Sequence, residues 1–413
     1  MKVLWFSNCV LTVTTSTGSG SWLFGMKSIL SKEVELYNIT CSNVQAATKH
    51  CVEGLTEYII PNYKLRNGLP SDKSIAEIQR IVNDVSPDII HIWGIEKYWA
   101  RLFQRGYITG YPVILEIQGV LSACSNCYYG GLTPKEILKT YGVRELLRPW
   151  ARLDMKHKRM NERASDEAEL IKSFKYLSTQ SSWTRYQLTF SKSAESQVFE
   201  TLRPLRKEFY NAEKWAKKNN TAPIIYTSAS YNSPFKGLHV LIKAMSQVVK
   251  KYPSAKLKIA GIGGNKPFYK EDGYVRFIKR LINEVGLRDN ILFIGRLDTD
   301  RVIANLLECD VFVNPSFVES YSAAAAEALF LGVPCVLSYG GAMPNFSEGK
   351  KAALYYSPLD FVDCAAKITD LFENGERASA ICKNAVAQME SKCSQENVKK
   401  TQLYIYNKVL NTN

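Results

Sequence analysis

Short apolar runs return along this chain between amphipathic stretches, and that alternation limits the folds open to it more than any other feature. In the first half they fall at 2–6, 34–39, 57–60, 88–92, 112–117 and 175–179. After residue 220 a second set follows at 223–228, 256–260, 290–294, 310–314, 334–338 and 353–356. Runs of this kind without polar alternation are strands covered on both faces, and helix-like segments between them supply the cover. The chain therefore reads as α/β, with two doubly wound parallel-sheet domains in tandem.

The stretch 203–221 is charged and lacks a clean strand or helix period at its start, which puts the boundary there. The reading gives an N-terminal domain at 1–205 and a C-terminal domain at 206–393. A terminal helix at 394–413, with Val398, Leu403, Ile405, Val409 and Leu410 at helical spacing, is expected to pack on the first domain. Open parallel sheets bind ligands beyond the carboxyl ends of their strands, so the segments just after each run are where function is sought.

Composition narrows the class of partner. Lys and Arg number 53 against 39 Asp and Glu, a formal charge of +14, which favours polyanions, phosphorylated substrates or anionic surfaces. Hydrophobic residues at 46% and charged residues at 22% are globular proportions. The first residues carry no signal-peptide pattern, and the most apolar internal stretch, 323–337, is interrupted by Glu327, Gly332 and Pro334, so no membrane span is expected. Ten cysteines, several in apolar runs, suit buried thiols and a cytoplasmic location, with peripheral contact to the inner membrane face as an extension. Cys124 and Cys127 form a single CxxC without the second pair or the histidines that a zinc site requires, so no metal is expected.

Three places carry chemistry. The first is Asn314-Pro-Ser-Phe-Val-Glu319-Ser320-Tyr321-Ser322-Ala323-Ala-Ala-Ala-Glu327-Ala-Leu-Phe-Leu-Gly332-Val-Pro334. A strand ends, a loop presents Glu319, and an Ala-rich helix starts near Ser322, whose hydroxyl suits an N-cap. The amides of Ser322 and Ala323 then favour a phosphate. Glu327 falls about 8 Å further along the helix, a span from diphosphate to ribose. A carboxylate accepts from two adjacent hydroxyls, so Glu327 is assigned to a ribose diol and Glu319 to the transferred sugar. An acid/base pair of a retaining glycosidase needs carboxyls about 5 to 5.5 Å apart, which this spacing exceeds. The plain alternative is a solvated loop Glu and a surface helix Glu.

The second place is Tyr226-Thr-Ser-Ala-Ser230-Tyr-Asn-Ser-Pro-Phe-Lys236-Gly237, where a polar loop leads to a lysine placed to neutralise a diphosphate. An ordinary surface lysine would give the same pattern. The third is Thr17-Gly18-Ser19-Gly20, where Gly18 and Gly20 allow backbone approach to an anion or sugar, as a plain tight turn also would. The third glycine of a dinucleotide fingerprint is missing.

The combination of Lys236-Gly237 with Glu319, Glu327 and the following Ala-Leu and Gly-Val-Pro resembles the retaining glycosyltransferases of family 4. The likeness is strongest from 223 to 358. It implies the GT-B fold of two Rossmann-like domains facing across a cleft, with the terminal helix crossing back to the first. It also implies metal-independent transfer of a hexose from a nucleotide-diphosphate sugar, UDP- or GDP-linked, with retained anomeric configuration. On that resemblance Lys236 and the amides near Ser322 hold the departing diphosphate, no side-chain nucleophile is assigned, and the base lies near Arg296 and Leu297.

The chain departs from the family at several positions. Ser228 and Ser230 stand where many members carry an Arg. Gln118, in Glu116-Ile-Gln118-Gly119, stands where many carry a His, and it is expected to hydrogen-bond the donor sugar without a charge. Ser320 and Ser322 replace glycines beside the first Glu.

On the acceptor side, Arg144, Arg148, Arg152, Lys156, Arg159 and Arg163 recur at three- or four-residue spacing, with Pro149 as a possible helix start. Read as one basic helix face, this stripe would meet an anionic membrane or a lipid-diphosphate acceptor, or it is simply solvated. The activity expected is therefore transfer to a glycan or lipid-linked acceptor in cell-surface polysaccharide synthesis. The alternative is a non-catalytic nucleotide-sugar or glycan-binding protein of the same fold. No nucleic-acid-binding module is recognisable.

Overall fold

The computed structural model describes residues 1–13, 20, 22–218, 222–228, 233–261, 271–347 and 351–412. They form two compact units: Met1–Val120 with Ser165–Arg206 and Lys392–Asn413, and Leu121–Ala164 with Lys207–Ser391.

The first unit is built on an eight-stranded sheet. Its strands are β1 (Lys2–Phe6), β2 (Glu35–Ser42), β3 (Thr48–Val52), β4 (Leu55–Pro61), β5 (Ile89–Trp93), β6 (Val113–Glu116), β7 (Tyr176–Thr179) and β8 (Gln197–Glu200). They lie in the order β3-β4-β2-β1-β5-β6-β7-β8. Every described pairing is parallel except β3 against β4. Side chains of β1 alternate between two buried faces: Leu4 and Phe6 join one apolar cluster, Val3 and Trp5 the other. Burial on both sides is why the strand reads as an unbroken apolar run.

Helix Asp72–Val85 shows how the flanking layers are specified. Ser71 caps it by accepting from the Ser74 amide, and Ile75, Ile78, Ile81, Val82 and Val85 form its buried stripe. It stops at Ser86, whose left-handed φ of 45° precedes Pro87. The terminal helix Gln395–Leu410 lays Val398, Ile405, Tyr406 and Val409 into the Trp5 cluster. A polar network is buried there. The Trp5 indole N–H donates to Tyr406 Oη at 3.1 Å, which also lies 3.1 Å from His91 Nδ1. His91 stacks on Trp93 with ring centroids 3.7 Å apart. Ser178 and Gln180 donate to the Glu116 carboxylate in the same interior. Loss of hydration pushes the His91 imidazole well below its usual pKa and lifts the Glu116 carboxyl to about 7.

The second unit carries a six-stranded, all-parallel sheet of β9 (Ile224–Thr227), β10 (Lys256–Ala260), β11 (Ile291–Gly295), β12 (Val311–Asn314), β13 (Cys335–Ser338) and β14 (Leu354–Tyr356). The order is β11-β10-β9-β12-β13-β14, so the winding reverses between β9 and β12. That reversal leaves a crevice beyond the carboxyl ends of these two strands.

The division of the chain differs from the sequence expectation in one stretch. Residues 121–164, expected in the first domain, belong to the second unit. Polar stitches hold them there. His239 Nε2 lies 2.9 Å from the Gly130 carbonyl oxygen, and Lys243 pairs with Glu136 at 2.8 Å. Arg276 is buried against the Glu145 carboxylate and donates to the Glu271 carbonyl at 2.6 Å. Gly273 lets the chains close, since a Cβ there would lie 2.1 Å from the Thr140 carbonyl oxygen. None of these ties alters the hydrophobic period, so run-counting places the segment by sequence order alone.

Candidate functional site

Where β12 ends, Asn314 organises the loop that follows. Its side-chain oxygen accepts from the Ser316 amide at 3.1 Å, and its amide group donates to Ser322 Oγ at 2.9 Å. Ser322 Oγ in turn accepts from the Ala325 amide at 3.2 Å, capping helix Ala323–Leu331. One side chain thus ties strand end, loop and helix start together. The cap takes the Ala325 amide, whereas the amides of Ala323 and Ala324 have no i−4 acceptor and are left for an anion. Ala323 is exposed and Ser322 buried.

Glu319 stands in the middle of this loop. The Lys236 ammonium donates to its Oε1 at 2.6 Å, and Ser316 Oγ donates to the same oxygen at 2.7 Å. Lys236 arrives from the other side of the switch point, on the short 3-10 turn Pro234–Lys236 after β9. Two close backbone approaches fix the register. Gly237, at φ 72°, would place a Cβ 1.9 Å from the Pro315 carbonyl oxygen, and the Phe317 amide donates to the Phe235 carbonyl at 2.8 Å. On the far side the Ala342 amide donates to the Glu319 carbonyl at 2.7 Å, and a Cβ on Gly340 would lie 2.3 Å from the Phe317 carbonyl oxygen. The Glu319 loop is wedged between two backbone segments that both demand glycine.

Glu327 lies inside a helix whose residues from Ala325 to Leu331 are all buried, and it is buried with them. A carboxylate so placed needs polar company to stay ionised. Tyr321 packs edge-on against Phe346, with ring centroids 5.5 Å apart. Gly332, at φ 79°, closes the helix in the left-handed conformation open to glycine.

The structure brings Lys236, Gly237, Glu319, Ser320, Tyr321, Ser322, Ala323 and Glu327 onto the two segments flanking the switch point. Arg296 and Leu297 follow β11 at the outer edge of the same sheet, Arg296 exposed and Leu297 half-buried. Ser230 and Gly18 lie outside the described residues. Gly20 and Gln118 belong to the other unit. Gly20, at φ 91°, adjoins Cys9, and its carbonyl accepts from Leu23 to start helix Trp22–Leu30. Gln118 follows β6 and donates to the Trp93 carbonyl at 3.3 Å.

The basic stripe is not one helix. Arg144 is on helix Val143–Leu147, Pro149 opens the 3-10 turn Pro149–Ala151, and Lys156 is on helix Leu153–Ser173. Proline has no N–H to extend the first helix, and Arg148 leaves helical geometry at φ −133°, ψ 76°. Carboxylates also take up most of the charge: Arg144 pairs with Glu145 at 2.9 Å, Arg152 with Asp154 at 2.7 Å, and Lys156 with Asp272 at 2.5 Å. Arg148 alone of these four has no ion-pair partner among the described residues.

Sequence reasoning overlooked Asn314, Ser316 and the Gly340-Gly341 pair. A glycine pair one residue after a strand was the available signal for the latter.

Two sheets of doubly wound topology, the second with this loop-and-helix device at its switch point, define the GT-B architecture. Residues 210–388 match the family model described as glycosyl transferases group 1. An uncharacterized glycosyltransferase of Methanocaldococcus jannaschii is 26% identical over 59% of this chain and 64% of its own length, so the match spans less than two thirds of that relative. Among solved structures, the fold is similar over its full length to sucrose-phosphate synthase from Thermosynechococcus elongatus, at a TM-score of 0.72 and 14% identity, covering 100% of both chains. Anabaena HepE in complex with UDP and glucose is similar at a TM-score of 0.66 and 15% identity, covering 98% of this chain and 99% of that one.

Proposed function

We propose that this protein is a retaining glycosyltransferase that moves a hexose from a UDP- or GDP-linked donor to a glycan or lipid-linked acceptor in cell-surface polysaccharide synthesis, in the cytoplasm and without a metal. The observation carrying this reading is the Lys236–Glu319 pair at 2.6 Å beside a capped helix N-terminus, on the two segments that flank the switch point. An anionic diphosphate suits both the ammonium and the helix amides. Charge develops on the leaving diphosphate as the sugar–phosphate bond breaks, and fixed donors that need no rearrangement lower that barrier.

In this mechanism Lys236 serves two anions in turn. Without donor it is held by Glu319. With donor it turns to the diphosphate, and the Glu319 carboxylate, still held by Ser316, takes the sugar hydroxyls. Glu327, about 7 to 8 Å along the helix from Ser322, accepts from the ribose diol. The solved complex of Anabaena HepE with UDP and glucose supports a UDP-type donor by analogy of fold.

A thermal-shift series with UDP, GDP, ADP and their hexose conjugates tests donor class, since a ligand bound only by the folded state raises the midpoint according to its affinity. Nucleotide released on adding acceptor, with the anomeric proton of the product followed by NMR, tests transfer and retention. A midpoint unmoved by every nucleotide sugar would overturn the proposal, and binding without release would favour the non-catalytic alternative.

A further inference from the structure

We infer that the segment Val143–Ala151 is a membrane-docking element that seats on an anionic lipid surface. Four apolar side chains stand out to solvent here: Val143 at 65% exposure, Leu146 at 77%, Leu147 at 75% and Trp150 at 57%. Val143, Leu146 and Leu147 are spaced i, i+3, i+4 and so share one face of their helix. Isolated exposed leucines are ordinary, whereas four large apolar residues within eight positions form a patch that soluble surfaces avoid.

The patch is held out from below. Glu145, on the opposite face, is buried against Arg276 and Arg144 and accepts from the Gly142 amide at 3.1 Å. The helix cannot roll its leucines inward without exposing that ion pair's partners to an unpaired state. The protruding face is therefore a fixed feature of this short element.

Charge selects the occupant. Arg148, between Leu147 and Trp150, is exposed and has no ion-pair partner among the described residues. Arg159, also exposed, donates to the Trp150 carbonyl at 2.6 Å, so a second guanidinium lies at the base of the indole. Leucines and a tryptophan flanked by arginines match the layering of a bilayer interface, with acyl chains below, aromatic rings at the headgroups and cations against anionic phosphates. A lipid surface fits all three; a polyanion in water would leave the leucines unserved.

Membrane seating is measurable without sugar transfer. Full-length protein is floated with vesicles of phosphatidylcholine alone and with added phosphatidylglycerol. The wild type should float with the anionic vesicles and much less with the neutral ones. The Leu146→Ser/Leu147→Ser double variant should lose roughly tenfold or more of that partitioning, with an unchanged thermal midpoint because both positions are exposed. Arg148→Gln should weaken anionic binding only. Brominated acyl chains should quench wild-type fluorescence, and Trp150→Phe should remove most of that quenching, which tests the placement even if the double variant folds poorly. Equal flotation of double variant and wild type, equal binding to neutral and anionic vesicles, or quenching unchanged in Trp150→Phe would each overturn the inference. So would a wild-type dimer without vesicle binding that the double variant turns into a monomer, since the patch would then serve a second copy.

Discussion

Adding a methyl group at Gly237 would set a Cβ 1.9 Å from the Pro315 carbonyl oxygen, on a backbone already at φ 72°, so strain and overlap coincide at the joint that positions Lys236. Gly237→Ala is therefore expected to cost about 2 kcal/mol or more in denaturant unfolding and to weaken nucleotide binding. The two glutamates should separate by function. Glu327→Ala should weaken binding of free nucleotide in calorimetry by roughly tenfold, the worth of one lost charge-assisted contact. Glu319→Ala should leave free nucleotide binding nearly unchanged and depress sugar transfer. Equal nucleotide affinity in wild type and Glu327→Ala would remove the ribose assignment. At this scale the sequence disclosed which residue types mattered, since a carboxylate in an Ala/Leu helix needs a reason. It concealed their partners: Lys236 and Glu319 are 83 positions apart, and only the reversal of strand order brings them within 2.6 Å. Asn314 was equally hidden, because an asparagine after a strand looks like any turn residue until its two hydrogen bonds are seen.

Elements were the most legible level where they were apolar. The runs read at 2–6, 88–92, 256–260 and 334–338 fall on β1, β5, β10 and β13, the second and fourth beginning one residue early. By contrast β3, with all five residues exposed, and β8, with none fully buried, have no apolar run to announce them and exist because neighbouring strands offer them hydrogen bonds. The segment 121–164 was misplaced for a related reason, since charges and carbonyls attach it. Replacing Arg276 by Leu strands Glu145 as a buried, half-paired carboxylate, at a cost of about 3 to 5 kcal/mol. Limited proteolysis should then cut within 121–164 before it cuts the sheet. Loss of the helix cap in Ser322→Ala should cost about 1 kcal/mol and weaken donor binding with it, because the same hydroxyl anchors the Asn314 latch.

Across the whole molecule the two units should respond differently to acid. In the second, burial holds the His239 imidazole down at about 4. The unfolded chain, titrating near 6.5, then binds more protons between those values, so stability falls as pH drops from 6.5 towards 4. Glu136 acts in the same sense: burial alone would raise its pKa, but hydrogen bonds from Lys243 and Thr133 outweigh that and lower it. In the first unit the groups oppose each other. His91 is lowered and loses stability in acid, whereas Glu116, raised to about 7, gains stability as pH falls from 7 towards 4.5. Acidification should therefore open Lys207–Ser391 ahead of the first unit, as read by hydrogen exchange of each unit against pH, and His239→Gln should flatten that dependence.

The placement of Tyr406 has a consequence for biosynthesis. The hydroxyl that meets Trp5 and His91 belongs to a residue translated after everything in the second unit. On a ribosome the sheet begun first must wait, its Trp5 face uncovered, until the final helix emerges, while the later-begun sheet already has its whole sequence in hand. The usual order, in which the amino-terminal domain matures first, would then be inverted, with an apolar face left open from the emergence of β1 until the helix Gln395–Leu410 is made.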